Sequence, residues 1–354
     1  MKLYESDLQT ARTHEARELA DFPSLSREQL RAVRARASRL RSWYRDHPFI
    51  HHIIALGALL GLFALDAWVL LELPEYLPWA TQTWQGIVLG GGLAGFLHGY
   101  IVYGIVSYSV HEGAAHDLIV QGKGRLANAL RLFANHAGRF FLADPVEYRQ
   151  EHFDHHRHLG SEDDGSFTTF VRLRRLLGSV VPMAPFFTFS DFFPWLPDRY
   201  TPSRLLSIGL TLAYVNTFVL LMAPRFGLAY TVVVLFAVGG WISFALDRLR
   251  ESSEHLFMPL DRTDGTRELG VGLWGMLVGG GPWGQPCHLS HHLAPALPWY
   301  QQLMLHRFLK REVLTERQRR AFLLRPVVGY PALLVKLVAE NLRGGSPQPR
   351  GGAQ

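Results

Sequence analysis

Four long apolar runs, separated by connections rich in charge and histidine, constrain the fold of this chain more than any other feature. Each run has about the length, roughly 20 residues, with which a helix crosses the hydrocarbon core of a bilayer. Helices that are apolar on every face also occur in soluble cores, but four of them with charge confined to the connections favour a membrane protein. The pattern therefore predicts an all-α integral membrane protein with four transmembrane helices. The runs lie at residues 53–73, 84–110, 205–223 and 228–246.

The spacing of the runs predicts that the four helices pair as two hairpins. Only residues 224–227 separate the third run from the fourth, and so short a turn makes these two helices antiparallel. Asp66 in the first run and His98 in the second are titratable groups inside apolar sequence, where a charge is costly. We expect both side chains to face the interior of the helix bundle or a neighbouring polar group.

The distribution of arginine predicts how the chain is oriented in the membrane. Six arginines precede the first run between residues 31 and 45, whereas the connection at residues 74–83 has no lysine or arginine. Positive residues accumulate on the cytoplasmic side of membrane proteins, so we expect the N-terminus in the cytoplasm. After four crossings the C-terminus lies there too, and every histidine-rich stretch becomes part of a cytosolic helical cap.

The net charge of +6 and the pI near 9.5 do not indicate nucleic acid as a partner. The positive residues follow the connections that we place in the cytoplasm, and anionic lipid headgroups explain them more simply. The single cysteine, Cys287, excludes an internal disulfide. We therefore expect the partners of this chain to be a bilayer and molecules that reach its cytoplasmic face.

The same patterns divide the chain into four regions. Within the first, Leu30, Val33, Ala37 and Leu40 recur at helical spacing among arginines and predict an amphipathic helix on the membrane surface. The regions are a cytosolic N-terminal segment (1–52), a four-span domain (53–309), C-terminal cytosolic or interfacial helices (310–343) and a disordered tail rich in glycine and proline (344–354).

Three histidine clusters stand at the ends of the apolar runs: HEGAAH at 111–116, HFDHH at 152–156 and HLSHH at 288–292. Residues at i, i+3 and i+4 share one face of a helix, so the three imidazoles of each HxxHH cluster converge. Residues five apart differ by about 140° on an ideal α-helix, so we expect His111 and His116 to reach different ions. His255, which follows the fourth run, is a further candidate ligand.

The number of histidines indicates more than one metal ion. A transition metal takes about four to six ligands, and the three clusters alone supply eight imidazoles. An imidazole-rich set with few carboxylates suits iron, zinc or copper better than magnesium or calcium. Zinc prefers a smaller, closed set of ligands, so two non-haem iron ions with open positions for O2 fit best.

The order and spacing of the clusters resemble the membrane fatty acid desaturase and hydroxylase superfamily, whose mark is the boxes HxxxxH, HxxHH and HxxHH separated by membrane hairpins. The resemblance extends from the first apolar run to about residue 309. It implies a non-haem di-iron centre, with a ninth histidine after the fourth span. The matching ligands in this sequence are His111, His116, His152, His155, His156, His255, His288, His291 and His292.

One residue departs from the pattern of the acyl-CoA desaturases in this superfamily. They carry an asparagine one helical turn before the ninth histidine, where this chain has Glu251. A carboxylate at that place can bind iron, change its reduction potential or accept a proton, so we predict that Glu251 is a catalytic residue. Carboxylates that could orient the imidazoles are Glu112, Asp117, Asp154 and Glu254, whereas His136 and His158 do not fit the ligand spacing.

The resemblance implies an oxidoreductase, an O2-dependent lipid desaturase that introduces a double bond into a fatty acyl or related lipid chain. A hydroxylase or ketolase of an acyl chain, alkane or isoprenoid would use the same centre. A zinc-dependent membrane lipid hydrolase and a metal transporter are further alternatives. Because the chain has no haem, ferredoxin or flavin motif, we expect a separate electron donor, a ferredoxin or a small haem cytochrome with its reductase, whose acidic surface would suit the basic cytosolic face.

Overall fold

The computed structural model describes residues 22–159, 201–255, 258–259, 263–279, 281–283, 286–325 and 328–343. In this part of the chain the secondary structure is helical, and the only β-pairing is an isolated bridge between Glu268 and Leu323. The α-helices are Arg27–Asp46, Pro48–Leu71, Leu73–Tyr76, Trp79–Gln82, Trp84–Ser107, Arg125–His136, Pro145–His158, Pro202–Phe226, Leu228–Val232, Trp241–His255, Leu273–Val278, His288–Leu293, Trp299–Phe308, Glu316–Phe322 and Gly329–Arg343.

Four helical segments are long and apolar enough to cross a membrane, which confirms the predicted all-α membrane class. They are Pro48–Leu71, Trp84–Ala115, Pro202–Phe226 and Leu228–Asp247, and we call them the first to fourth spans. The third span continues through Pro224, where we had expected a turn, so that Gly227 alone separates it from the fourth. Gly227 has φ +85°, a conformation that glycine adopts without steric cost and that ends the helix there.

The two titratable groups inside the first and second spans pair with each other, as expected. His98 Nδ1 lies 2.7 Å from Asp66 Oδ1, and both residues are buried. The hydroxyl of Tyr214 in the third span donates to the other oxygen of the same carboxylate. This network satisfies the polar groups that the apolar runs contain and links three of the four spans.

The second and fourth spans approach each other closely, and this contact positions the ends of both. A methyl group at Gly99 would collide with the carbonyl oxygen of Gly239, so the absence of a side chain lets the two backbones touch. The second span runs directly into the first histidine cluster, and the fourth runs into the helix that ends at His255. Their close packing therefore brings parts of the predicted site together.

The N-terminal helix, Arg27–Asp46, begins with a capping box, in which the side chains of Ser26 and Gln29 each accept a hydrogen bond from the other residue's backbone N–H. Its apolar stripe is buried at Val33 and Leu40, which pack in one cluster with Leu289 and Leu305. The stripe that we had assigned to a membrane surface therefore packs against protein, next to the third histidine cluster. Periodicity shows which face of a helix is apolar but not what covers it. The predicted tail at 344–354 lies outside the described residues.

Candidate metal centre

The first histidine box lies in a π-helical segment, Tyr108–Ala115, which continues the second span. The backbone N–H of His116 donates to the carbonyl of His111 at 3.1 Å, an i→i+5 bond. A π turn holds one residue more than an α turn, so residues five apart face the same side. The expectation that His111 and His116 would reach different ions was wrong, because it assumed α-helical geometry.

The second histidine box lies on the helix Pro145–His158, which Asp144 caps by accepting from the N–H of Val146 at 2.9 Å. His152, His155 and His156 are buried, as their spacing predicts, whereas His158 is exposed. Asp144 also accepts from the Ser203 hydroxyl at 2.8 Å, which ties the start of this helix to the third span.

The third histidine box is the short helix His288–Leu293. The Glu268 carboxylate accepts from the backbone N–H of Ser290 at 2.9 Å and from its hydroxyl. These bonds anchor the short helix to a separate segment of the chain. His255, the last residue of Trp241–His255, has Nδ1 2.9 Å from the carbonyl oxygen of Gly265. When Nδ1 carries the proton and donates it to this carbonyl, Nε2 is unprotonated and its lone pair can bind a metal ion.

The nine histidines come together as two groups of four with one histidine between them. Within each group, ligand atoms lie within 4.8 Å of one another. The first histidine group consists of His111, His116, His152 and His291, and the second of His155, His255, His288 and His292. Each HxxHH box contributes to both groups, whereas the first box contributes only to the first.

The Nε2 atoms turn toward one another inside each group. In the first group, Nε2 of His116 lies 2.8 Å from that of His152, and Nε2 of His111 lies 3.0 Å from that of His291. In the second group, Nε2 of His288 lies 3.3 Å from that of His255 and 3.1 Å from that of His292. Nitrogen donors that converge in this way fit a bound transition metal.

His156 lies between the two groups. Its Nε2 is 2.8 Å from Nε2 of His291 and 3.1 Å from Nε2 of His152. Its ring also lies beside that of His292 in the second group, with the centroids 4.4 Å apart. A shift of this side chain would therefore change contacts in both groups.

Burial favours the neutral form of six of these imidazoles. Desolvation, followed by the positive charge of Arg149, lowers the pKa of His116 to about 4. Desolvation, followed by the neighbouring imidazoles, also lowers the pKa values of His152, His288, His291 and His292 well below the usual range. The pKa of His255 is lowered well below that range by desolvation and by His155. Neutral imidazole is the form that binds a metal ion, so the donor set fits two transition-metal ions.

Of the four carboxylates proposed to orient the imidazoles, two are buried beside them. Glu112 accepts from the backbone N–H of Trp299 at 3.0 Å and lies 3.5 Å from Gln302 Nε2. The Gln302 amide is in turn 3.4 Å from Nδ1 of His291, so it connects Glu112 to the first histidine group. No motif distinguishes Gln302 or Trp299 in the sequence, and we did not single out either of them.

Glu254 is the second buried carboxylate. It accepts from Arg250 at 2.8 Å, and the same oxygen lies 3.5 Å from Nε2 of His288. Arg250 is itself buried and was missed in the sequence, where it is one of many arginines. By contrast, Asp117 is exposed and Asp154 is half-buried, and they pair with Arg131 and Arg157, so they do not support the histidines.

Three further predictions concern residues near the site. The side chain of Glu251 lies outside the described part of the structure, although its backbone belongs to the helix that ends at His255. His158 is exposed, and His136 Nδ1 accepts from Arg139 Nε at 2.7 Å. Neither belongs to a histidine group, in agreement with their omission from the ligand set.

Comparison with known protein families identifies the fold that carries these histidines. The fatty acid desaturase family matches residues 83–322, which include all three boxes, His255 and three of the four spans. The chain belongs to this family. A comparison with curated proteins finds no match. This member of the fatty acid desaturase family combines membrane-type helices with two buried groups of histidines that could each hold a metal ion.

Proposed function

We propose that this protein is an O2-dependent lipid desaturase that introduces a double bond into a fatty acyl or related lipid chain through a di-iron centre. When bound, the two irons would supply reductive activation of O2 and removal of hydrogen from an unactivated methylene. The proposed ligands are the nine clustered histidines, His111, His116, His152, His155, His156, His255, His288, His291 and His292.

The observation that carries this proposal is the division of eight imidazoles into two four-histidine groups, with His156 between them, within a fatty acid desaturase family chain. A zinc hydrolase needs only about three histidines and one carboxylate around a single ion. A transporter usually places its ligands near the middle of the bilayer. Here the boxes lie at or beyond the ends of apolar helices, and no carboxylate among the described side chains belongs to either histidine group.

The chain's own residues would hold the imidazoles in fixed orientations. The carbonyl of Gly265 fixes the His255 ring, and Glu112 acts on His291 through Gln302. Glu254 lies beside His288 and is balanced by the positive charge of Arg250. Such contacts set ring tautomer and direction, which decide how tightly a ligand set binds its metal.

Glu251 is the proposed catalytic residue. It stands four residues before His255, one turn of the same helix away. We assign its carboxylate the acceptance of a proton released when hydrogen is removed from the substrate. A carboxylate tuned to such a task contributes roughly a hundredfold to ten-thousandfold in rate.

The proposed setting is a bilayer with the active site and both termini on the cytoplasmic side. The arginines before the first span and the arginine-free connection after it support this orientation. The acyl substrate would enter from the membrane. Electrons would come from a separate ferredoxin, or from a small haem cytochrome with its reductase, docking on the basic cytosolic face.

The first test is metal analysis of purified full-length protein, with His155→Ala beside His158→Ala. Both substitutions remove an imidazole from one helix, but only His155 belongs to a histidine group. We expect about two irons per chain in the wild type and in His158→Ala, and fewer in His155→Ala. About one zinc per chain, or unchanged iron in His155→Ala, would remove the desaturase proposal.

Lipid analysis separates desaturation from its nearest alternative, hydroxylation. Membranes from a host that expresses the wild type should contain an acyl or related lipid lighter by two hydrogens, absent when His155→Ala is expressed. A product heavier by one oxygen would instead assign a hydroxylase that uses the same centre.

A further inference from the structure

A second kind of metal-binding cluster lies outside both histidine groups. Glu268, Cys287 and His306 place one donor atom each within 4.8 Å of one another. They come from three separate pieces of chain: the bridge to Leu323, the residue before the third box, and the helix Trp299–Phe308. The sequence gives no spacing motif for this set.

All three side chains are buried, with exposed fractions of 0% for Glu268, 1% for Cys287 and 6% for His306. Glu268 Oε1 is used by Ser290, and His306 Nδ1 lies 3.5 Å from that oxygen. Glu268 Oε2 and His306 Nδ1 have no hydrogen-bond partner among the described residues. A buried polar atom left without a partner costs about 1–3 kcal/mol, so two such atoms in one cluster favour a ligand that both could bind.

We infer that Glu268, Cys287 and His306 form a third metal site, which binds one zinc-type divalent ion through a carboxylate oxygen, a thiolate and an imidazole nitrogen. This site goes beyond the proposed oxidation chemistry and shares no ligand with the histidine groups. Zinc accepts this donor set at bond lengths of about 2.0–2.3 Å, which places the donors roughly 3–4 Å apart.

The chemistry of the donors distinguishes this site from the histidine groups. Thiolate is a soft ligand that favours zinc, whereas the groups offer only nitrogen. Burial raises the pKa of the Cys287 thiol well above its usual range, so the free thiol keeps its proton. Binding of the ion would release that proton, and the thiolate would then be held by the metal.

The position of the site suggests a structural task. Cys287 directly precedes His288, and Glu268 already anchors Ser290 in the same short helix. An ion here would tie the third box to the helix that carries His306 and to the segment paired with Leu323. It would therefore fix the third box without taking part in oxygen chemistry.

Cobalt(II) binding to the purified full-length protein tests the site directly. Cobalt replaces zinc and gives an intense ultraviolet charge-transfer band only when a thiolate binds it. Because Cys287 is the only cysteine, that band reports this site and no other. We expect the wild type to develop the band at about one cobalt per chain and to lose it when zinc is added. Its absence in the wild type, while cobalt fills the histidine groups, overturns the proposal without reference to any variant.

Variants assign the other two ligands. We expect Cys287→Ser and His306→Ala to lose the band, and Glu268→Gln, which keeps an acceptor oxygen for Ser290, to weaken cobalt binding at least tenfold. His47→Ala, which removes an exposed histidine elsewhere, should keep it. A band that persists in His306→Ala would overturn the assignment. Iron content, measured on the same samples, keeps this result separate from the proposed desaturase, because each can fail alone.

Discussion

The imidazoles of His111 and His116 lie 4.8 Å apart, centroid to centroid, because a π turn joins them. The first box therefore contributes two histidines to one histidine group and none to the other. Loss of this turn should affect one metal selectively.

Insertion of one alanine after Ala114 tests this relationship. The added residue rotates His116 by roughly 80–100° about the helix axis, away from His111, so we expect about half of the iron to be lost while the second histidine group stays filled. Ala114→Gly, which keeps the length of the segment, should retain both irons. Metal analysis and Mössbauer spectra measure the outcome, and full iron content in the insertion variant would contradict the assignment.

The place of His156 between the groups gives a second prediction. His111→Ala and His255→Ala each remove a ligand from one group, so each should lower iron content by about one per chain. His156→Ala should lower occupancy of both groups, since its Nε2 contacts the first group and its ring packs against His292. Mass spectrometry of the metals in the three variants distinguishes these patterns, and identical losses in all three would argue against two separate sites.

Acid should destabilise the protein through its buried histidines. Lowered pKa values in the folded chain, below the usual 6.5 and about 4 for His116, are found at His116, His152, His255, His288, His291 and His292. The unfolded chain therefore binds more protons between these values. Stability and metal retention should therefore be complete near pH 7 and fall as the pH drops from about 6.5 toward 4. Thermal unfolding and iron retention followed from pH 7 to pH 4 measure this, and a melting temperature that rises on acidification would contradict it.

The buried pair of Arg250 and Glu254 gives a prediction about stability. Glu254→Gln removes the buried carboxylate and leaves Arg250 with only the partly exposed carboxylate of Asp247, 3.2 Å away, so we expect a loss of about 3 kcal/mol. The double variant Arg250→Met with Glu254→Leu should be less destabilised, because neither position then carries a buried charge. Glu316→Gln is the matched control, since Glu316 and Arg320 have the same spacing at the surface and their pair contributes at most about 1 kcal/mol.

Glu251→Gln tests the proposed proton acceptor. The amide keeps the size of the side chain but removes its basicity, so turnover should fall about a hundredfold while both irons stay bound. Glu151→Gln, an exposed position on the second-box helix, should leave turnover unchanged. If Glu251→Gln loses iron, the carboxylate is a ligand and the assigned role is wrong.

The sequence was sufficient for the features that depend on periodicity and composition. Apolar runs placed four helices to within a few residues of their ends, and the i, i+3, i+4 spacing placed His152, His155 and His156 on one buried face. Asp66 and His98 each require a polar partner inside apolar helices, and the two side chains hydrogen-bond to each other.

What the sequence could not show depends on tertiary contacts. The π turn in the first box has no sequence pattern of its own. The assumption of an α-helix therefore placed two histidines on different faces, whereas the fold brings them together. The stripe on the N-terminal helix fits lipid as well as protein, and contacts with Leu289 and Leu305 decide between them. Gln302 contacts His291, and Glu268 holds the third box through Ser290, by contacts that no local spacing encodes.

The division of the boxes between two groups has a consequence for biosynthesis. The first group needs His291 and the second needs His292, so neither ligand set exists until nearly the whole chain has left the ribosome. By then all four spans have been synthesised, and the histidines of the first two boxes have been made without their partners. Metal insertion would thus come late, as a checkpoint that only a chain made past the third box and correctly folded can pass.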